Sequence, residues 1–78
     1  MPKIDLELSA VEREFLEEME DICAAIRKSG MDPYDQLYGY ISKGKVEYIT
    51  RIDNARERIQ VLNWDMVRNY VKNMEESR

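Results

Sequence analysis

The chain has 78 residues, of which 16 are Asp or Glu and 12 are Lys or Arg, giving a formal charge of -4. The length excludes a two-domain enzyme, and 44% apolar with 36% charged residues describes one small globular domain rather than a disordered chain. With no histidine and a lone cysteine, Cys23, an intramolecular disulfide, the common zinc ligand sets and a His-based triad are excluded.

Residues 1–30 carry eight acids and four bases, while residues 31–60 carry five of each. The acidic excess therefore sits in the first third, which argues against general nucleic-acid binding, because that needs a net basic face. A local basic run remains at Lys43, Lys45, Arg51, Arg56 and Arg58. The start of the chain lacks the apolar region of a signal peptide, and no apolar stretch approaches the roughly 20 residues that span a bilayer. A soluble, cytoplasmic protein with no membrane contact and no cofactor is expected.

In chain order, residues 1–8 read as a short flexible arm, residues 9–75 as a single helical domain and residues 76–78 as a frayed end. Ser9 is an N-cap candidate with Glu12 completing a capping box. Val11, Phe15, Met19, Ile22 and Ile26 then follow helical spacing, with Leu16 and Cys23 beside them, and Gly30 suits the left-handed residue that ends a helix. Asp32 and Pro33 mark a second start, since proline lacks the amide proton that a first helical residue would leave unpaired. That helix runs through Leu37, Tyr38, Tyr40 and Ile41 and stops before Gly44; Gly39 inside it predicts the close approach of another helix.

Residues 45–50 form a β-rich run with no second strand to pair with, so a helical turn or an extended connector is expected. Ile52, Ala55, Ile59 and Leu62 predict a third helix beginning near Asp53. A last helix starts at about Asn63 or Trp64, with Trp64, Val67, Val71 and Met74 on one stripe and Met66 and Tyr70 on a second. The fold class is all-α: a compact bundle of four short helices, or three if the last two are continuous. A last helix that is apolar on two faces can bury one in its own core, and a homodimer is the simplest cover for the other.

Glu14, Glu17, Glu18 and Asp21 line one side of the first helix, with like charges at i,i+4 spacing that disfavour an isolated helix. The stripe is either a solvated face or the partner of Arg51, Arg56 or Arg58. As an acidic interaction face it would suit a small inhibitor that occupies a basic nucleic-acid-binding site on a target. Nothing predicts an apolar pocket around these carboxylates that would raise a pKa for acid–base chemistry, and no catalytic residue is assigned. Cys23 falls among core positions, where a thiol acts as a small hydrophobe. Helical spacing makes Trp64 and most of the five tyrosines core or interface residues rather than a nucleic-acid stacking platform. Arg51, Asn54 and Arg56 stand off the apolar stripe at a helix start, where a cation is disfavoured by the helix dipole, and they are the candidate partner-binding residues.

The series Asp32-Pro33, Gln36, Gly39-Tyr40, Gly44, Tyr48-Ile49, Arg51 and Asn54-Ala55-Arg56, followed by Ile59, resembles in fixed register the signature of the IreB/ReoM family of small regulatory proteins. The apolar positions Phe15, Met19, Ile22 and Ile26 are also similar. The resemblance implies an all-helical, non-enzymatic homodimer of the bacterial cytoplasm, acting downstream of a PASTA-domain Ser/Thr kinase. It implies control of peptidoglycan synthesis by promoting Clp-dependent degradation of a precursor enzyme, the client, with phosphorylation relieving that effect. It implicates Arg51 and Arg56 in the activity.

Three features depart from the pattern. The family's phosphorylated threonine lies in its N-terminal tail, whereas residues 1–8 here hold no Ser or Thr. The family's basic run after Ile59 is here Gln60-Val61, and its usual Gly-Asp-Pro is Gly44-Lys45-Val46. Ser9 and Thr50 are the alternative phosphorylation candidates. A phosphate at Ser9 would gain from the helix N-terminus and lose to the acids that follow.

Overall fold

The computed structural model describes residues 10–77. It contains four α-helices among the described residues: α1 (Ala10–Lys28), α2 (Pro33–Lys43), α3 (Ala55–Gln60) and α4 (Trp64–Glu76). A connector, residues 44–54, joins α2 to α3 and holds two 3-10 turns, Val46–Tyr48 and Ile52–Asn54. The all-α expectation holds, and the alternative of three helices is settled in favour of four. Ser9 and the arm over residues 1–8 lie outside the described residues.

Helix α1 is fixed by its apolar stripe. Phe15, Met19, Ile22, Cys23, Ala25 and Ile26 are buried along it, whereas Val11, counted in the same stripe, is 66% exposed. Glu12 in the first turn and Arg27 and Lys28 in the last complement the helix dipole. Gly30, at φ +86°, takes the left-handed conformation that closes the end, donating its amide to the Arg27 carbonyl at 2.9 Å.

The ends of α2 follow from local chemistry alone. The Asp32 carboxylate accepts the Asp35 amide at 3.2 Å, Pro33 occupies the first turn, and Gly44 at φ 70° donates to the Tyr40 carbonyl at 2.8 Å. Leu37 and Tyr40 are buried against the core. At the start of α4, Asn63 is an N-cap whose side chain accepts the Met66 amide at 3.0 Å, so α3 and α4 are separate helices.

The core joins α1 to α2 and α3, and α2 to α4. It is completed by Ile49 from the connector, Ala55 and Ile59 from α3, and Val67 and Val71 from α4. Trp64, expected on the buried stripe of α4, is 40% exposed, its ring edge-on to Tyr40 at 5.2 Å. Met74 is half-buried.

Two further expectations change. The third helix does not begin near Asp53: Asp53 (φ 54°) and Asn54 (φ 60°) are both left-handed, and the α-helix starts at Ala55. Asp and Asn are the non-glycine residues that enter this region most cheaply. Gly39 is not approached by another helix. A Cβ there would stand 2.8 Å from Cδ1 of Tyr48, so the close neighbour is an aromatic ring of the connector.

Candidate protein-interaction site

The connector passes back along α2 in the opposite direction, Tyr48 lying over Gly39 and Thr50 reaching the earlier residue Gln36. Ile49 is extended (φ -100°, ψ 138°) and only 1% exposed. An extended segment without a neighbouring strand leaves backbone donors and acceptors to satisfy. Side chains from the flanking helices satisfy them here. The Thr50 amide donates to Gln36 Oε1 at 2.9 Å. Arg56 Nε donates to the Ile49 carbonyl at 2.7 Å, and Arg56 Nη2 to the Glu47 carbonyl at 3.0 Å. Thr50 Oγ1 accepts the Ile52 amide at 3.3 Å, which turns the chain toward α3.

Arg51, Asn54 and Arg56 are thus brought onto one segment, in different states. Arg51 and Asn54 are exposed, whereas Arg56 is half-buried with two of its donors committed to the connector backbone. Asn54 makes no capping hydrogen bond with its side chain. Its neighbour Asp53 pairs with Lys28 of α1 at 2.9 Å, with side chains 48% and 62% exposed, tying the left-handed corner to the end of α1. The exposed rings Tyr38 and Tyr48 stand on the α2 and connector side of the molecule, and Tyr38 stacks on Tyr34 at 5.7 Å. The stretch combines tyrosines with an arginine, the residue types that dominate binding energy at protein interfaces.

The basic run of the sequence is divided by the fold. Arg58 bonds Glu18, and it bonds Asp21 at 3.1 Å, so half of the acidic stripe is tied to α3 within the same chain. The bond to Glu18, more than that to Asp21, holds the Arg58 guanidinium above its usual pKa. Glu14 and Glu17 stay exposed. Lys43, Lys45 and Arg51 are the exposed cations of the run.

Thr50 is half-buried, its amide held by Gln36 and its hydroxyl oxygen by the Ile52 amide, so a phosphoryl group there would disturb the turn. Cys23 is buried beside Tyr70. Burial raises the Cys23 thiol, and burial first, then Cys23, pushes the Tyr70 phenol up to about 12. A thiol held protonated in this way is a poor nucleophile. Among the described residues no helix is long and apolar enough to cross a membrane.

Sequence reasoning missed the part played by Gln36 and the inward use of Arg56. Their signal was present only as fixed spacing, Gln36 three residues before Gly39 and Arg56 eight residues after Tyr48. In the structure Asp32 caps the start of α2, Gly44 ends it, Gly39 makes room for Tyr48, and Arg56 holds the connector backbone. The model of the IreB regulatory phosphoproteins matches residues 4–74, nearly the whole chain. The chain belongs to the IreB family of regulatory phosphoproteins.

Proposed function

We propose that the protein is a non-enzymatic, dimeric regulatory adaptor of the cytoplasm that acts by protein–protein contact through its connector face. The process it regulates is cell-wall (peptidoglycan) synthesis, downstream of a PASTA-domain Ser/Thr kinase and through Clp-dependent turnover of a precursor enzyme. Family membership supports the regulatory part.

The observation that carries the reading is the clamping of the connector backbone by Gln36 and Arg56 while Arg51 stands exposed between them. A segment that takes two side-chain clamps and two left-handed residues to hold in place is built to present something. Arg51 is the presenting group, offering a planar fork of donors to a partner carboxylate. Asn54 borders the contact. Arg56 is a positioning residue that holds the surface in shape. Ser9, rather than the engaged Thr50, is the phosphorylation site that this reading favours.

The test is capture of partners from the native cytoplasm by tagged wild type and by Arg51→Ala. Recovery of a Clp ATPase or of a peptidoglycan-precursor enzyme by the wild type, and its loss in Arg51→Ala at unchanged helicity, is the expected outcome. Equal recovery by both would overturn the assignment of Arg51. The rival acidic-inhibitor reading is weakened because Arg58 engages Glu18 and Asp21 inside the fold. Charge reversal at Glu14 and Glu17 is accordingly expected to leave capture unchanged.

A further inference from the structure

Trp64 belongs neither to the buried core nor to the connector. It is the first residue of α4, where Asn63 already supplies the cap, and its indole is not needed to start the helix. It stays 40% exposed, although its ring meets the buried ring of Tyr40 edge-on at 5.2 Å. The two planes are inclined at 65° and so form a corner. That corner opens into a hollow of about 420 Å³ bordered by Gly44, Lys45, Glu47 and Gln60.

We infer that this hollow receives an arginine side chain of a partner protein, the guanidinium lying against the Trp64 and Tyr40 rings and donating to Glu47 and Gln60. Arg51 does not line the hollow, and the inference stands apart from the role given to Arg51 above.

Three features select a cation, and arginine among cations. The faces of aromatic rings attract positive charge, that of tryptophan most strongly, and a guanidinium stacks flat on them. The rim also offers acceptors: Glu47 carries a carboxylate and Gln60 an amide oxygen, and Gly44 marks the end of α2, where the negative pole of that helix lies. A partner carboxylate would meet Glu47 and the helix pole as like charges. Finally, a planar fork of five donors can bond a carboxylate and an amide oxygen together while its face rests on a ring, which the compact ammonium of lysine cannot do.

The wall that carries Glu47 is held in place. Arg56 Nη2 donates to the Glu47 carbonyl at 3.0 Å, so the clamp that fixes the connector also fixes this side of the hollow. Lys45 is the opposing charge among the lining residues. It is exposed, and its long side chain can swing into water, so it weakens the site without closing it.

Trp64 is the single tryptophan of the chain, and its emission therefore reports on the hollow. The experiment titrates the full chain at low salt with acetyl-Gly-Arg-Gly-amide, and with the same peptide carrying citrulline, the neutral isostere of arginine. The expected result is a saturable change in Trp64 fluorescence with a Kd on the order of 1–10 mM for the arginine peptide, and binding at least about threefold weaker for the citrulline peptide. Glu47→Gln, at an exposed position, should weaken the arginine peptide at least about threefold, and Lys45→Ala should strengthen it about twofold. No saturable change up to about 50 mM peptide, an equal response to arginine and citrulline, or wild-type affinity in Glu47→Gln would each overturn the inference. Partner capture through Arg51 is read separately and stands or falls on its own test.

Discussion

Two faces of this small domain are built on opposite principles. Along α2 and the connector, backbone groups that lack a secondary-structure partner are satisfied one by one by particular side chains: Asp32 for the Asp35 amide, Gln36 for Thr50, and Arg56 for Glu47 and Ile49. Between α1 and α4, generic apolar side chains such as Phe15, Leu16, Met66 and Met74 line an open trough whose rim carries Glu12, Glu14 and Glu18 and the amides of Asn69 and Asn73. The first arrangement demands residue identity, because a hydrogen bond to a given carbonyl needs a donor of the right length. The second demands only pattern and volume, since one aliphatic side chain packs nearly as well as another of its size. The fixed-register signature of the sequence lies on the first face for that reason, and the second face is marked only by helical spacing.

Substitutions separate the faces by size of effect. Arg56→Ala leaves the Glu47 and Ile49 carbonyls without their charged donors, and each hydrogen bond to a charged group is worth ~1.5–3 kcal/mol. A loss of ~2–4 kcal/mol in urea unfolding is expected, and Arg56→Lys, which cannot form the same fork, recovers little of it. Gly39→Ala places a methyl 2.8 Å from the Tyr48 ring. Overpacking costs ~1–3 kcal/mol and the gain in helix propensity returns up to ~1, so a net loss on the order of 1 kcal/mol is expected. Tyr48→Ala made together with Gly39→Ala removes the clash; a double mutant no better than the sum of the singles would refute the contact.

Smaller effects follow from titration and surface charge. The Tyr70 phenol is held above its ordinary value of 10, at about 12, so the fold favours its protonated form. That contribution is complete below pH 10 and is lost as pH rises through 12. The Cys23 thiol, also raised by burial, adds a decline of the same sign starting at its ordinary value of 9. Thermal melts between pH 9 and 12 should therefore show a fall in Tm that Tyr70→Phe reduces. Arg58→Ala, breaking a partly exposed pair of ion bridges, should cost less than ~1 kcal/mol. Asn73→Arg, at an exposed position, should stay within ~0.5 kcal/mol.

How much was legible in advance follows the same division. Both ends of α2 could be read because Asp32, Pro33 and Gly44 act within a turn of their own position, and the cap at Asn63 is local in the same way. The second apolar face of α4 was legible from the spacing of Met66 and Tyr70. The left-handed pair Asp53–Asn54 was not, because that corner is imposed by the route of the connector and by the ion pair of Asp53 with Lys28. Gly39 announced a close neighbour, but the helix expected there is the Tyr48 ring, because a missing Cβ does not specify what fills the space. Arg56 was read as an outward-facing contact because a backbone carbonyl leaves no mark on the sequence of its donor. The sequence therefore named the candidate site only as a segment, Arg51 to Arg56, and the exposure of Arg51 and Asn54 and the backbone contacts of Arg56 came from geometry.

The central claim is that Gln36 and Arg56 hold the connector so that Arg51 is displayed. Native-state hydrogen exchange at the Thr50 amide, read in wild type, Arg56→Ala and Arg51→Ala, tests it most directly. The account predicts a protected Thr50 amide in wild type, at least about tenfold faster exchange in Arg56→Ala while the amides of α1 keep their protection, and no change in Arg51→Ala. A Thr50 amide that exchanges freely in wild type, or that loosens as much in Arg51→Ala as in Arg56→Ala, would contradict it.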